Sequence, residues 1–114
     1  MILGWGLNEN FILNSEFPKT IEVPIVSDGT CLRSNPAILA ISTERTFCAG
    51  GKNGEGPCSG DSGGGLILKN GNKYYLRGLV SSSPRAGTSP CDPNSFAVFT
   101  DVAKFSSWIQ TNTQ

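Results

Sequence analysis

The chain has 114 residues, nine Lys plus Arg against nine Asp plus Glu and no histidine, which gives a formal net charge of zero at pH 7. That length holds one domain with a single core, and the scattered, cancelling charges create no basic field for nucleic acid or for an anionic membrane surface. With 14 Gly, 7 Pro, 38% hydrophobic and only 16% charged residues, the chain reads as turn-rich and built from short strands, which predicts an all-β fold.

Met1-Ile2-Leu3-Gly4-Trp5 lacks the basic and long apolar regions of a signal peptide, and no apolar run approaches the roughly 20 residues that span a bilayer. Gly4-Trp5-Gly6 closes a first strand, its glycines letting the backbone bend around a large indole. Residues 8–19 are polar and irregular. Ile21 to Val26 alternates as a strand, and Pro24, which cannot donate to a ladder, places it at an edge or a bulge. Ser27-Asp28-Gly29 reads as a turn. From Cys31 to Arg45 no element is clear: Asn35-Pro36 interrupts any helix, and Ile38 to Ile41 is an apolar patch. Thr46 to Ala49 is a short strand ended by Gly50-Gly51, with Asn53-Gly54 and Gly56-Pro57 in the loop beyond. Leu66 to Lys69, Asn70-Gly71-Asn72 and Lys73 to Ser81 give the clearest hairpin signal, the Asn-Gly pair supplying positive φ angles. Ser82 to Asn94 is a proline-rich loop, and Ser95 to Thr100 returns as a strand. Val102, Phe105, Trp108 and Ile109 fall at helical spacing behind a capping Asp101, predicting a short terminal helix that buries Phe105 and Trp108. About six strands and one helix suit a small closed or nearly closed barrel.

Between these elements lies Cys58-Ser59-Gly60-Asp61-Ser62-Gly63-Gly64-Gly65. Each glycine carries a large ordering cost, so such a loop needs a reason. One reason is chemical: a nucleophilic hydroxyl on a tight turn, beside bare backbone N–H groups that can bind a developing oxyanion. The competing reading is a flexible glycine loop between two strands. Gly60-x-Ser62-x-Gly64 also fits the strand-to-helix turn of α/β-hydrolases, but here a hairpin follows and no histidine does. The four cysteines, at 31, 48, 58 and 91, form an even set without Cys-x-x-Cys spacing. With no histidine to complete a zinc site, they read as two disulfides formed in an oxidising compartment, and no metal is expected. Oxidised cysteines beside a start that carries no secretion signal lead to the expectation that the chain is part of a longer precursor.

Gly4-Trp5-Gly6, Phe47-Cys48-Ala49-Gly50, Cys58-Ser59-Gly60-Asp61-Ser62-Gly63-Gly64, Arg77-Gly78-Leu79-Val80-Ser81, Val98-Phe99-Thr100-Asp101-Val102 and Trp108-Ile109 occur in the order and spacing of the chymotrypsin-like serine proteases. The resemblance runs from Gly4 to Ile109 and covers the second half of that family's domain. It implies that residues 1–114 form a single six-stranded antiparallel β-barrel, the second of the two barrels of the chymotrypsin fold, with a short C-terminal α-helix. It also implies that Ser62 is the nucleophile, that the N–H groups of Gly60 and Ser62 form the oxyanion hole, and that Asp61 pairs with the new N-terminal amine after zymogen cleavage. A turn aspartate bonding its own backbone is the plainer reading of Asp61. The family pattern pairs Cys31 with Cys48 and Cys58 with Cys91; a third family disulfide would need a cysteine at Leu68.

For the substrate pocket, the resemblance places Gly56 at the floor, Ser83 and Ala97 at the walls, Ser81 on the backbone that pairs with substrate, and Ser82 where a tryptophan usually stands. Gly65 stands where proline usually follows the glycines. An uncharged floor offers no partner to a buried Lys or Arg, so cleavage after a small or medium apolar residue is expected, with Glu55 one position away as the route back to basic specificity. The family's histidine and its orienting aspartate belong to the first barrel, ahead of Met1. The expected function is therefore a secreted, extracellular serine endopeptidase acting on protein or peptide substrates, of which this chain is the C-terminal portion, inactive without its N-terminal barrel and using no cofactor. The alternative is a non-catalytic homologue or fragment that acts as a binding or regulatory module.

Overall fold

The structure, a computed structural model, describes residues 1–4, 19–51, 56–57, 61–83 and 95–113. Within them, seven strands form one antiparallel sheet: β1 Ile2–Gly4, β2 Lys19–Ile21, β3 Ile25–Val26, β4 Thr46–Gly50, β5 Gly65–Asn70, β6 Lys73–Ser82 and β7 Phe96–Asp101. Their order is β2-β1-β5-β6-β7-β4-β3. The predominantly β fold with a C-terminal helix is as expected from the sequence, but the strand count differs from six. Ile21 to Val26, expected as one strand, is divided. β2 pairs with β1, β3 pairs with β4, and between them Pro24, unable to donate, accepts from Gly50 N–H at 2.9 Å. The two end strands of the sheet are thus consecutive in the chain, separated only by Glu22, Val23 and Pro24.

The hairpin forms between β5 and β6, with Asn70 opposite Lys73. The loop is therefore Gly71-Asn72 rather than Asn70-Gly71. Gly71 takes φ 64°, the left-handed angle a two-residue hairpin requires at its first position. Ser27-Asp28-Gly29 is a helix start rather than a turn: Ser27 Oγ accepts from Thr30 N–H at 3.3 Å and caps α1, Asp28–Ser34. The same short polar residues serve turns and N-caps, and burial of Cys31 decides between them here. Asn35-Pro36 does interrupt the helix, and it also starts the next. Asn35 Oδ1 accepts from Ala37 N–H at 2.9 Å, and Pro36 opens α2, Pro36–Ile41, where its missing N–H costs nothing.

Alternation along β4 and β7 divides the interior. Phe47, Ala49, Ala97 and Phe99 join Ile2, Leu66 and Val80 in one core, while Cys48 and Val98, on the opposite face, meet Cys31 and Ile38 from the two helices. Both faces of these strands are buried, which is why their sequences are almost continuously apolar. The disulfide Cys31–Cys48, with its Cα atoms 6.2 Å apart, ties α1 to β4. Cys58 and Cys91 lie outside the described residues, as do Trp5 and Gly6.

At the end of the chain, Asp101 Oδ1 accepts from Ala103 N–H at 3.1 Å and caps a 3-10 turn, Val102–Phe105, that leads into α3, Ser106–Asn112. The expected burial of Trp108 is not observed; it is 65% exposed. Val102, Phe105 and Ile109 are half-buried, so the inward face of the terminal segment runs through them and leaves Trp108 outside it. Asp101 also accepts from Arg77 Nη1. The Arg77 guanidinium in turn lies 4.6 Å from the Phe47 ring centroid, and that ring stacks on Phe99 at 5.5 Å. No helix among the described residues is long and apolar enough to cross a membrane.

Replacing Cys31 and Cys48 together by alanine is expected to cost about 3 kcal/mol of stability, the loop-closure value for this separation, as read by guanidinium unfolding. Asp101→Ala, which removes a cap and leaves Arg77 without this carboxylate, is expected to cost roughly 2 kcal/mol in the same measurement.

Candidate active site

The described part of the serine loop begins at Asp61. Gly64 N–H donates to Asp61 O at 2.9 Å, closing a four-residue turn with Ser62 and Gly63 at its centre. Gly63 has φ 85°, which the third position of a type II turn takes and which a side chain resists. Ser62, immediately before it, is exposed. The turn is fastened to the sheet rather than hanging from it: Gly63 N–H donates to Val80 O at 2.8 Å, and Val80 N–H donates to Gly64 O at 2.9 Å. Val80 itself is 6% exposed and belongs to the main core. The glycine loop therefore extends the β5–β6 ladder by two bonds, and the serine hydroxyl stands at the rim of the sheet on an ordered base.

Ser81 follows Val80 directly and is exposed, whereas Ser82 and Ser83 are half-buried at the end of β6. The structure thus brings the Ser62 turn beside the strand that carries the expected substrate-pairing residue. Gly56 is half-buried and precedes a buried Pro57. Ala97 is 2% exposed and lies in the core on β7, opposite Ala49 of β4. Gly60, Cys58, Cys91 and Glu55 lie outside the described residues. Asp61 is half-buried, and its carboxylate lies against the backbone of Gly4 in β1.

Two participants were not legible in the sequence. Val80 contributes through its backbone amide and carbonyl, and no side-chain pattern marks such a role. A neighbouring indole is one reason for the glycine at position 4; a glycine at the end of a strand also signals close approach of another chain segment, and Asp61 makes that approach. Among the described residues no cluster of His, Cys, Asp or Glu could hold a metal ion. The chemistry available is an exposed hydroxyl on a preorganised turn, with no imidazole anywhere in the chain to take its proton.

Comparison with known proteins gives the family. The family described as Trypsin matches residues 1–109, so the chain belongs to the trypsin family of chymotrypsin-like serine proteases. Serine protease gd of Drosophila melanogaster is 35% identical over 108 residues, covering 81% of this chain and 20% of that protein. Clotting factor C of Tachypleus tridentatus is 38% identical over 117 residues, covering 96% of this chain and 11% of that protein. Brachyurin of Leptuca pugilator is 37% identical over 111 residues, covering 96% and 44% respectively. The chain spans less than half the length of each of these relatives.

Gly63→Ala is expected to destabilise the turn by about 1 to 2 kcal/mol, the cost of a left-handed angle for a residue with a Cβ. Hydrogen exchange checks it locally: the Val80 amide, bonded to Gly64, should exchange faster in the variant.

Proposed function

We propose that this chain is the nucleophile-bearing C-terminal portion of a serine endopeptidase. Ser62 is the nucleophile, the N–H groups of Gly60 and Ser62 form the oxyanion hole, and Asp61 pairs with the amine freed by zymogen cleavage. The observation that carries this reading is the Ser62 turn, exposed at its tip and hydrogen-bonded to the core strand at its base. A fixed turn is what oxyanion stabilisation needs, since its donors must already point at the charge that develops. In the reaction, Ser62 Oγ attacks the scissile carbonyl carbon while a base removes its proton, and the base then returns the proton to the leaving amine. This chain has no histidine, so the base belongs to the N-terminal protease barrel, which is the partner proposed for it, and the chain alone is inactive.

Gly56, Ser81, Ser82 and Ser83 line the proposed substrate pocket, with the buried Ala97 behind its wall, and its uncharged floor favours a small or medium apolar side chain next to the cleaved bond. The end strands of the sheet, lying three residues apart in the chain, support a barrel closed through residues 19–26. The Cys31–Cys48 disulfide supports an oxidising, extracellular location. The lack of histidine is equally compatible with the second reading, a non-catalytic homologue or fragment that acts as a binding or regulatory module.

A fluorophosphonate probe separates these readings. The 114-residue chain should remain unlabelled, and rapid labelling of Ser62 would show that it needs no added base. Expressed with the coding sequence upstream of Met1, the protein should label at Ser62 and lose the label in Ser62→Ala. An in-frame stop directly before Met1, or an upstream segment without histidine, would overturn the enzyme reading.

A further inference from the structure

Gly4 has no positive φ angle, so its lack of a side chain is not explained by backbone conformation. Space explains it. A Cβ built on Gly4 would overlap Asp61 Oδ1, lie 2.7 Å from Asp61 Cγ and sit 3.4 Å from Oδ2. The volume that any other residue would fill is already taken by one carboxylate. The contact differs in kind from that at Gly65, whose Cβ would meet the flexible end of Leu76 at 2.9 Å. Asp61 has a short side chain with two torsions, and its backbone carbonyl is held by Gly64 N–H at 2.9 Å. Its carboxylate cannot yield without being turned out of its seat or pulling the turn with it.

We infer that Gly4 is a positioning residue for the Ser62 turn, acting through Asp61; the inference rests on the reading of Ser62 as nucleophile. The route is short. Gly4 admits the Asp61 carboxylate against β1, Asp61 O holds Gly64, and Gly63 and Gly64 hold Val80. A side chain at position 4 displaces the carboxylate and shifts Ser62, the next residue along. The first strand therefore sets the geometry of the serine turn through the vacant side of one glycine.

The test is a double-mutant cycle in the 114-residue chain with Gly4→Ala, Asp61→Ala and both together, read by urea midpoint and by the amide resonances of Gly63 and Gly64. Gly4→Ala should lower the midpoint and move both resonances. In the Asp61→Ala background, where the obstructing atoms are gone, the same change should move neither. Equal shifts in the two backgrounds would overturn the proposal, since Gly4 would then act through β1 alone. If Gly4→Ala does not fold, a double variant that folds as well as Asp61→Ala supports the coupling, and one that also fails to fold overturns it. The resonances report on the turn whether or not Ser62 reacts. A failed cycle therefore leaves the labelling result standing, and an unlabelled Ser62 in the longer protein leaves the cycle standing.

Discussion

Two backbone hydrogen bonds, from Gly63 to Val80 and from Val80 to Gly64, connect the Ser62 turn to the buried core. A loop of four glycines in six residues would otherwise be the least ordered part of the chain, because each glycine gives up the most conformational freedom on folding. Pairing it with a buried strand offsets that cost. Val80 is the suitable anchor because its side chain sits in the main core and so fixes where its amide and carbonyl point. The side-chain core thus determines the orientation of a turn that has almost no side chains of its own.

The strand carrying Val80 is itself fixed at its other neighbour. Arg77, three residues earlier on β6, reaches across to Asp101 at the end of β7 and lies over Phe47 of β4. One guanidinium thereby links three adjacent strands by an ion pair and a cation–π contact, each strengthened by partial removal from water. Asp101 uses the same oxygen to cap the turn into the terminal helix. Register along β6 therefore sets two things at once: where the chain turns away into its last helix, and where Ser81 lies relative to Ser62.

What the sequence revealed follows from which signals are local. The β5–β6 hairpin, the strands at Thr46 and Phe96 and the break at Asn35-Pro36 were legible because alternation and turn chemistry act over a few residues. The helices α1 and α2 were not, because they are short and depend on burying Cys31 and Ile38 against β4 and β7, a tertiary gain that no helical period announces. Trp108 was misjudged for a related reason. Trp108 and Ile109 are neighbours, and the spacing alone does not say which of them faces inward; Ile109 is half-buried and Trp108 is exposed. The division of Ile21 to Val26 between two sheet edges was signalled by Pro24, which marked the place without saying that both halves would pair with different strands. For the site, the serine loop was visible from composition and order of motifs, whereas the Val80 anchor and the Gly4 contact depend on backbone atoms and empty space, which leave no residue pattern.

Fixing the turn and activating the hydroxyl are separable tasks: the sheet accomplishes the first, and the chain has no histidine for the second. Glycine and backbone amides can be arranged by a single sheet, because their positions are set by hydrogen bonds within it. Removing a proton from a serine needs a base of matched strength within hydrogen-bond reach, and neither a carboxylate nor an exposed water near an ordered turn supplies what an imidazole does. In the proposed endopeptidase the base comes from a second folding unit, and reactivity there would depend on how the two units meet rather than on either one alone. Within this sheet the cost of ordering the glycines is offset by the bonds from Gly63 to Val80 and from Val80 to Gly64, and that offset does not depend on a base.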